Sequence, residues 1–302
     1  MEYRAVVQSA LDEIDRRITE NIGARELALS ANYSVYHFCR VFAELTGTPV
    51  SAYVTRRKLE HALCDLSRGG RIIDIAAEYG FETHAGFTKA FKRCFGCPPS
   101  LYRLHISAGP PERPILGSVK LKRGGNDMRV EIKQTEPFTI AGYSSRHFLP
   151  GVRGISSIPA YWDGIGLDYA AELETLHNTY ARSGHCEIGV CFDVDEEREH
   201  FTYMIGVRVD EADADVTTRP GVCLLRIKGG LYAVFTTPPV GEAEYTKSIH
   251  DVWERALGQW LPDSRYVYDD GRDGFEYYDE RDHDWSNDGL SSMDVYVPVR
   301  ER

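Results

Sequence analysis

Two stretches decide the fold of the first third of the chain: residues 28–53, ALSANYSVYHFCRVFAELTGTPVSAY, and residues 77–102, AEYGFETHAGFTKAFKRCFGCPPSLY. Laid over one another with a shift of 49 positions, they agree at Ala28 and Ala77, Phe38 and Phe87, Phe42 and Phe91, and Gly47 and Gly96. Pro49 meets Pro98, Ser51 meets Ser100 and Tyr53 meets Tyr102; Ser34 and Thr83 match as N-caps, Arg40 and Lys89 as cations. These are structural residue types: caps that accept a backbone N–H, a glycine that ends a helix, and aromatic rings four apart on one helix face. Agreement of this kind marks a duplicated supersecondary unit. Its content, a short helix, a tight turn and a longer helix, is the helix-turn-helix layout.

The residues around the repeat extend the helical reading over 1–107. Val7, Leu11, Ile14 and Ile18 recur at steps of four, three and four, one stripe of a helix. An amphipathic helix over about Ser51–Ser67, closed by Gly69-Gly70, joins the two units. Residues 108–127 lose all periodicity; Gly109-Pro110-Pro111, Pro114, Gly117 and Gly124-Gly125 make them a basic, semi-extended linker. From Met128 the period changes. Val130 and Ile132, then Phe138 and Ile140, predict strands around Glu136-Pro137, and Ile158 to about Tyr180 predicts a helix. Cys186–Phe192 and Phe201–Val209 read as strands around the acidic loop Asp193–His200. Val222–Ile227 and Tyr232–Thr236 (strands), Glu244–Trp260 (a helix), and Gly274–Tyr278 and Met293–Val299 (strands) then repeat the order. The expected fold is therefore an all-α tandem helix-turn-helix domain over 1–107, a linker, and an α+β domain over 128–302 built from two similar strand-helix-strand-strand halves.

The charge divides in the same way. Residues 1–107 hold 14 Lys and Arg against 12 Asp and Glu, a net +2; residues 108–127 add +2; residues 128–302 hold 17 against 32, a net −15. A part at −15 repels nucleic acid and favours cationic ligands, so contact with double-stranded DNA is expected from the first part. No stretch of 18 apolar residues is present, so no transmembrane helix is expected. Met1 to Asp15 reads as an acidic amphipathic stretch, not a signal peptide. Seven irregularly spaced cysteines point to free thiols in a reducing cytoplasm.

The second helix of such a unit can enter the major groove and present its N-terminal side chains to base edges. In the first unit, Phe38 and Phe42 face the core and leave Tyr36, Cys39 and Arg40 on another face. Arg40 has the reach for a bidentate contact to guanine or for a phosphate. The second unit carries His84, Ala85, Thr88 and Lys89 on the corresponding face. With small Ala85 and Gly86, that helix is expected to anchor backbone more than to read sequence. Arg56, Arg57, Lys58, Lys92 and Arg93 are further candidates for phosphate contacts. Gly80-Phe81-Glu82-Thr83, followed by Phe87, Lys89, Phe91, Gly96, Pro98 and Tyr102-Arg103, resembles the signature of AraC/XylS-type transcription regulators. The resemblance covers residues 3–105 and implies that Tyr36, Cys39 and Arg40, with His84, Ala85 and Lys89, fall at base- and backbone-contacting positions. Cys39 and Ala85 depart from it, standing where members often have longer polar groups.

The second domain resembles a GyrI-like small-molecule-binding domain over about 128–300. The likeness is carried by Gly189-Val190, Tyr203 with Gly206-Val207, Gly230 with Tyr232-Ala233-Val234-Phe235, Phe275-Glu276 with Tyr278, and Tyr296-Val297-Pro298-Val299. It implies a central pocket between the halves, lined by aromatics, with a glutamate at its base. The residues agree: on a strand, Glu276 and Tyr278 share one face and Phe275 and Tyr277 the other. A carboxylate among aromatic faces suits an organic cation. Tyr143, Trp162, Tyr203, Tyr232 and Tyr296 are candidates to complete the wall.

Other motifs carry less. Cys94-x-x-Cys97 has redox spacing but lies in a pre-proline turn, Cys186 and Cys191 fall on opposite strand faces, and no phosphate-binding glycine motif is present. No cofactor, metal or catalytic residue is expected. The expectation is a cytoplasmic, ligand-responsive transcription regulator with duplex DNA, a small-molecule effector and RNA polymerase as partners. Two rivals use the same residues: Glu276 and a tyrosine as an acid/base pair hydrolysing a reactive compound, or a module that sequesters one.

Overall fold

The computed structural model describes residues 2–106, 109–116, 130–149, 170–180, 186–196, 199–209, 219–279, 281 and 289–302. Packing divides the chain into two compact units: residues 1–94 with 107–126, and residues 95–106 with 127–302.

The first unit is helical, and the 49-residue shift recurs in its elements. Helices α1 (Glu2–Arg16), α2 (Ala24–Ser30), α3 (Val35–Thr46) and α4 (Val50–Ser67) are followed by α5 (Ile72–Glu78), α6 (His84–Phe95) and α7 (Pro99–His105). The bounds of α3 shifted by 49 are those of α6, and the start of α4 becomes that of α7. The local causes repeat as well. Ser34 Oγ accepts the backbone N–H of His37 at 3.3 Å, and Thr83 Oγ1 accepts that of Gly86 at 3.0 Å. Gly47 and Gly96 end the longer helices at φ +73° and +81°, the left-handed region where only glycine sits without cost. Phe38 and Phe42, like Phe87 and Phe91, are fully buried with ring centroids 5.8 Å apart.

Arg57 and Lys58 correct the expectation of phosphate contacts. Arg57 pairs with Asp15 of α1 at 2.5 Å and with Glu60 at 2.5 Å, and Lys58 Nζ donates to the Tyr79 carbonyl at 2.9 Å. Both cations are buried and tie α4 to its neighbours. Part of the linker is docked on α1: Gln8 Nε2 donates to the Pro114 carbonyl and Gln8 Oε1 accepts the Leu116 N–H, while Arg113 forks onto Asp12.

The second unit holds α7 and a nine-stranded antiparallel sheet. Its strands are β1 (Val130–Thr135), β2 (Phe138–Phe148), β3 (Glu187–Asp195), β4 (His200–Val209), β5 (Cys223–Ile227), β6 (Gly230–Thr236), β7 (Tyr266–Tyr268), β8 (Phe275–Tyr278) and β9 (Asp294–Glu301). The order is β1-β6-β9-β8-β3-β4-β2-β5, with β7 pairing β9 off this path. Helix α8 (Ala170–Tyr180) follows β2; α9 (Glu242–Arg255) follows β6 and runs into a π-helical turn over Ala256–Trp260. Of the helix expected over Ile158–Tyr180, the part before Ala170 lies outside the described residues.

The first half runs strand-strand-helix-strand-strand, and the second repeats that order with the short β7 added after its helix. Matching β1, β2, β3 and β4 to β5, β6, β8 and β9 turns the strand order into its own reverse. The halves are thus related by a pseudo-twofold through the β3–β8 pair, and each donates its first strand to the other: β1 pairs β6, and β5 pairs β2. One face of the sheet carries Tyr143, Tyr203, Ile205 and Val207, packed with Leu173 and Leu176 of α8 and Leu104 of α7. The other carries Phe138, Ile188, Val190, Met204, Tyr232 and Phe275. Phe138 of β2 and Tyr232 of β6 both edge onto Phe275 of β8, at 5.7 and 5.3 Å between centroids. Strands two and three places apart in a flat sheet lie too far apart for that, so the sheet curves around this second face.

Candidate functional site

On α3, Tyr36 is 82% exposed. Arg40 is also exposed and Cys39 is half-buried, beside the buried Phe38 and Phe42. On α6, Ala85 and Lys89 are exposed and His84 and Thr88 are half-buried. The shift maps Tyr36, Cys39 and Arg40 onto Ala85, Thr88 and Lys89, so the two helices present corresponding positions with different side chains.

The acidic site lies on the pseudo-twofold. Glu276 of β8 stands opposite Gly189 of β3 in the antiparallel register. A Cβ at Gly189 would lie 2.3 Å from Tyr203 Oη and 3.2 Å from Glu276 Oε2, so the missing side chain is what lets tyrosine and carboxylate converge. Two neutral donors hold the acid: Trp253 Nε1 of α9 at 2.9 Å from Oε1 and the Tyr278 hydroxyl at 2.7 Å from Oε2. Among the described residues no Lys or Arg pairs with it. Burial pushes the Glu276 carboxyl above its ordinary value of 4.5, against the pull of the two hydrogen bonds and of His250. Protein packs around Glu276, yet the residue keeps part of its surface open to solvent. Burial and the Glu276 charge push the Tyr278 hydroxyl well above its usual range, so it is a donor throughout ordinary pH.

Of the aromatic candidates, the structure brings Tyr278 and Tyr203 to Glu276 and places Tyr143 in the same core cluster as Tyr203. It does not bring Tyr232 and Tyr296 there. Both lie on the opposite sheet face: Tyr296 stacks on Phe275 at 4.4 Å, and the Tyr232 hydroxyl donates to the Lys228 carbonyl at 3.1 Å. Trp162 lies outside the described residues. Trp253 was not singled out in the sequence, where it reads as one more apolar residue of a helix. Its role comes from a pairing 23 residues away that no local pattern encodes.

The Cys94 thiol is pushed up to about 11 by burial, and none of the seven cysteines is in a disulfide. Among the described residues no cluster of metal-ligating side chains occurs, and no helix is long and apolar enough to cross a membrane.

Residues 27–105 match the model of a helix-turn-helix domain, and residues 131–299 match that of the integron-associated effector binding proteins. The chain belongs to the integron-associated effector binding protein family. Joined to an AraC-type helix-turn-helix region, this effector-binding domain makes the chain a homologue of transcription regulators. It is 26% identical to the right origin-binding protein of Escherichia coli (strain K12) over 99% of this chain and 100% of that one. It is 35% identical to the uncharacterized HTH-type transcriptional regulator YbfP of Bacillus subtilis (strain 168) over 104 residues, 34% of this chain. That match spans only 35% of the length of YbfP. Among solved structures, SAV2435 bound to tetraphenylphosphonium is similar at 18% identity and a TM-score of 0.43, covering 57% of this chain and 94% of that one.

Proposed function

We propose that the protein is a ligand-responsive transcription regulator of the cytoplasm. Tyr36, Cys39 and Arg40 of α3 and His84, Ala85, Thr88 and Lys89 of α6 meet duplex DNA, and the Glu276 site takes an organic cation. Tyr278, Tyr203 and Tyr143 are its aromatic neighbours. RNA polymerase is the further partner of such a regulator.

The observation that carries the effector half is the state of Glu276. A carboxylate this deep is costly without a counter-charge, and two neutral donors compensate it only in part. A cation entering from the open side supplies the missing charge while its organic groups meet tyrosine faces. DNA binding rests on the exposed Tyr36, Arg40 and Lys89 and on the repeat that presents them.

Calorimetric titration of the full chain with tetraphenylphosphonium, followed by recovery of the compound, tests the effector half. Saturable binding with the cation recovered intact is expected. Absence of binding overturns the effector reading, and a converted product would favour hydrolysis.

A further inference from the structure

Helix α7 closes the second repeat in sequence, three residues after α6, but it packs as part of the sheet unit. Leu104 sits in the core cluster with Tyr143 and Tyr203. Arg103, buried, faces Glu199 at 3.5 Å. The Gly96 carbonyl, just before the helix, accepts the Tyr268 N–H at 2.9 Å. At the other end, the His105 carbonyl accepts from His250 Nδ1 at 3.3 Å. The His105 ring lies on the indole of Trp253, with centroids 3.7 Å apart and planes 12° apart. This is the indole whose N–H is aimed at Glu276.

We propose that His105 is a positioning residue of the effector site: its ring fixes the plane of Trp253 and thereby the hydrogen bond that Nε1 donates to Glu276. A flat contact covers one indole face and opposes rotation of the ring about its side-chain bonds. Burial keeps the imidazole neutral, its pKa driven down to about 3, so it stacks without bringing a charge next to the acid. The hydrogen bond matters for a cationic ligand because it lowers the cost of ionising the carboxylate; a neutral ligand has no such need. His105 is also the last residue of the helix that completes the DNA-reading repeat. The proposal rests on the reading of Glu276 as the cation site.

The test is calorimetry on the full chain with tetraphenylphosphonium and, as neutral comparison, triphenylphosphine oxide. His105→Leu keeps volume but removes the flat ring, His105→Phe restores one, and Trp253→Phe keeps a ring but removes the donor. His105→Leu and Trp253→Phe should each weaken the cation by about fivefold or more, as loss of a hydrogen bond to a charged group implies, and leave the neutral compound unchanged. His105→Phe should restore cation affinity. Unchanged cation affinity in Trp253→Phe, equal losses for both compounds, or no rescue by Phe overturns the proposal. Glu276→Gln separates the two levels. If it leaves cation affinity intact, the cation site itself is misplaced; if it weakens the cation while His105→Leu and Trp253→Phe do not, only the positioning role fails.

Discussion

Glu276 faces Gly189 directly across the pseudo-twofold of the sheet. The duplication thus places an acid in one half against an empty position in the other, and the Tyr203 hydroxyl fills that space.

Gly189→Ala should disturb both partners at once. The new methyl would lie inside van der Waals contact with Tyr203 Oη and close to Glu276 Oε2, and Tyr203 is fully buried with little room to retreat. We expect a loss of about 1–3 kcal/mol, as for overpacked cores, read as a lower midpoint in chemical unfolding. An unchanged midpoint would mean that the seam is loosely packed.

The repeat predicts asymmetric readers. With Arg40 exposed beside Tyr36, Arg40→Ala should cost about 1–3 kcal/mol and relax preference at one base pair, as for a bidentate base contact. Lys89→Ala should weaken all sequences alike and flatten the salt dependence of binding. Selection of duplexes from a random pool by each variant distinguishes these outcomes; the reverse pattern would exchange the two roles.

Arg57 should act through stability and not through DNA. Its guanidinium is enclosed by Asp15 and Glu60, and removing it takes the cation from the partly buried Asp15 while Glu60 keeps Arg56. Arg57→Ala should cost about 3–5 kcal/mol, as when one partner of a buried pair is lost. Arg56, half exposed beside Glu60, should cost only about 0.2–1 kcal/mol when removed, as for a surface pair. Unfolding curves of the two variants check this; equal effects would contradict it.

How much of this was legible beforehand differs between the two units. Caps, a stopping glycine and paired phenylalanines are local instructions, so Ser34, Thr83, Gly47 and Gly96 place the helices α3 and α6 to within a residue. Strand alternation put Glu276 and Tyr278 on one face, which holds. It could not say how neighbouring strands are registered, and register is what sends Tyr232 and Tyr296 to the opposite face. The exchange of β1 and β5 between halves, the meeting of Trp253 with Glu276 and the seat of His105 depend on long-range packing that composition and periodicity do not encode. Arg57 and Lys58 read as candidates for phosphate contacts because their partners, Asp15 and the Tyr79 carbonyl, come from outside α4.

The raised carboxyl of Glu276 gives cation binding a pH dependence of defined sign. In the empty protein the neutral acid is favoured, so its contribution to stability is complete below about 4.5 and is lost as pH rises through the folded value. The cation needs the carboxylate, so its affinity should rise with pH through that same interval above 4.5 and level off beyond it. Titrating tetraphenylphosphonium at a series of pH values should show this rise, and Glu276→Gln should remove it. A flat profile in the unaltered chain would contradict an acid held partly protonated.

The measurement that bears most directly on the cation site compares charge at constant shape. Full-length protein and Glu276→Gln are titrated calorimetrically with tetraphenylphosphonium and with triphenylphosphine oxide at a pH where the carboxylate has formed. The substitution should weaken the cation about tenfold or more, about 1.4 kcal/mol, and leave the neutral compound nearly unchanged. Equal losses for both compounds would make Glu276 a structural residue and contradict its assignment as the seat of cation recognition.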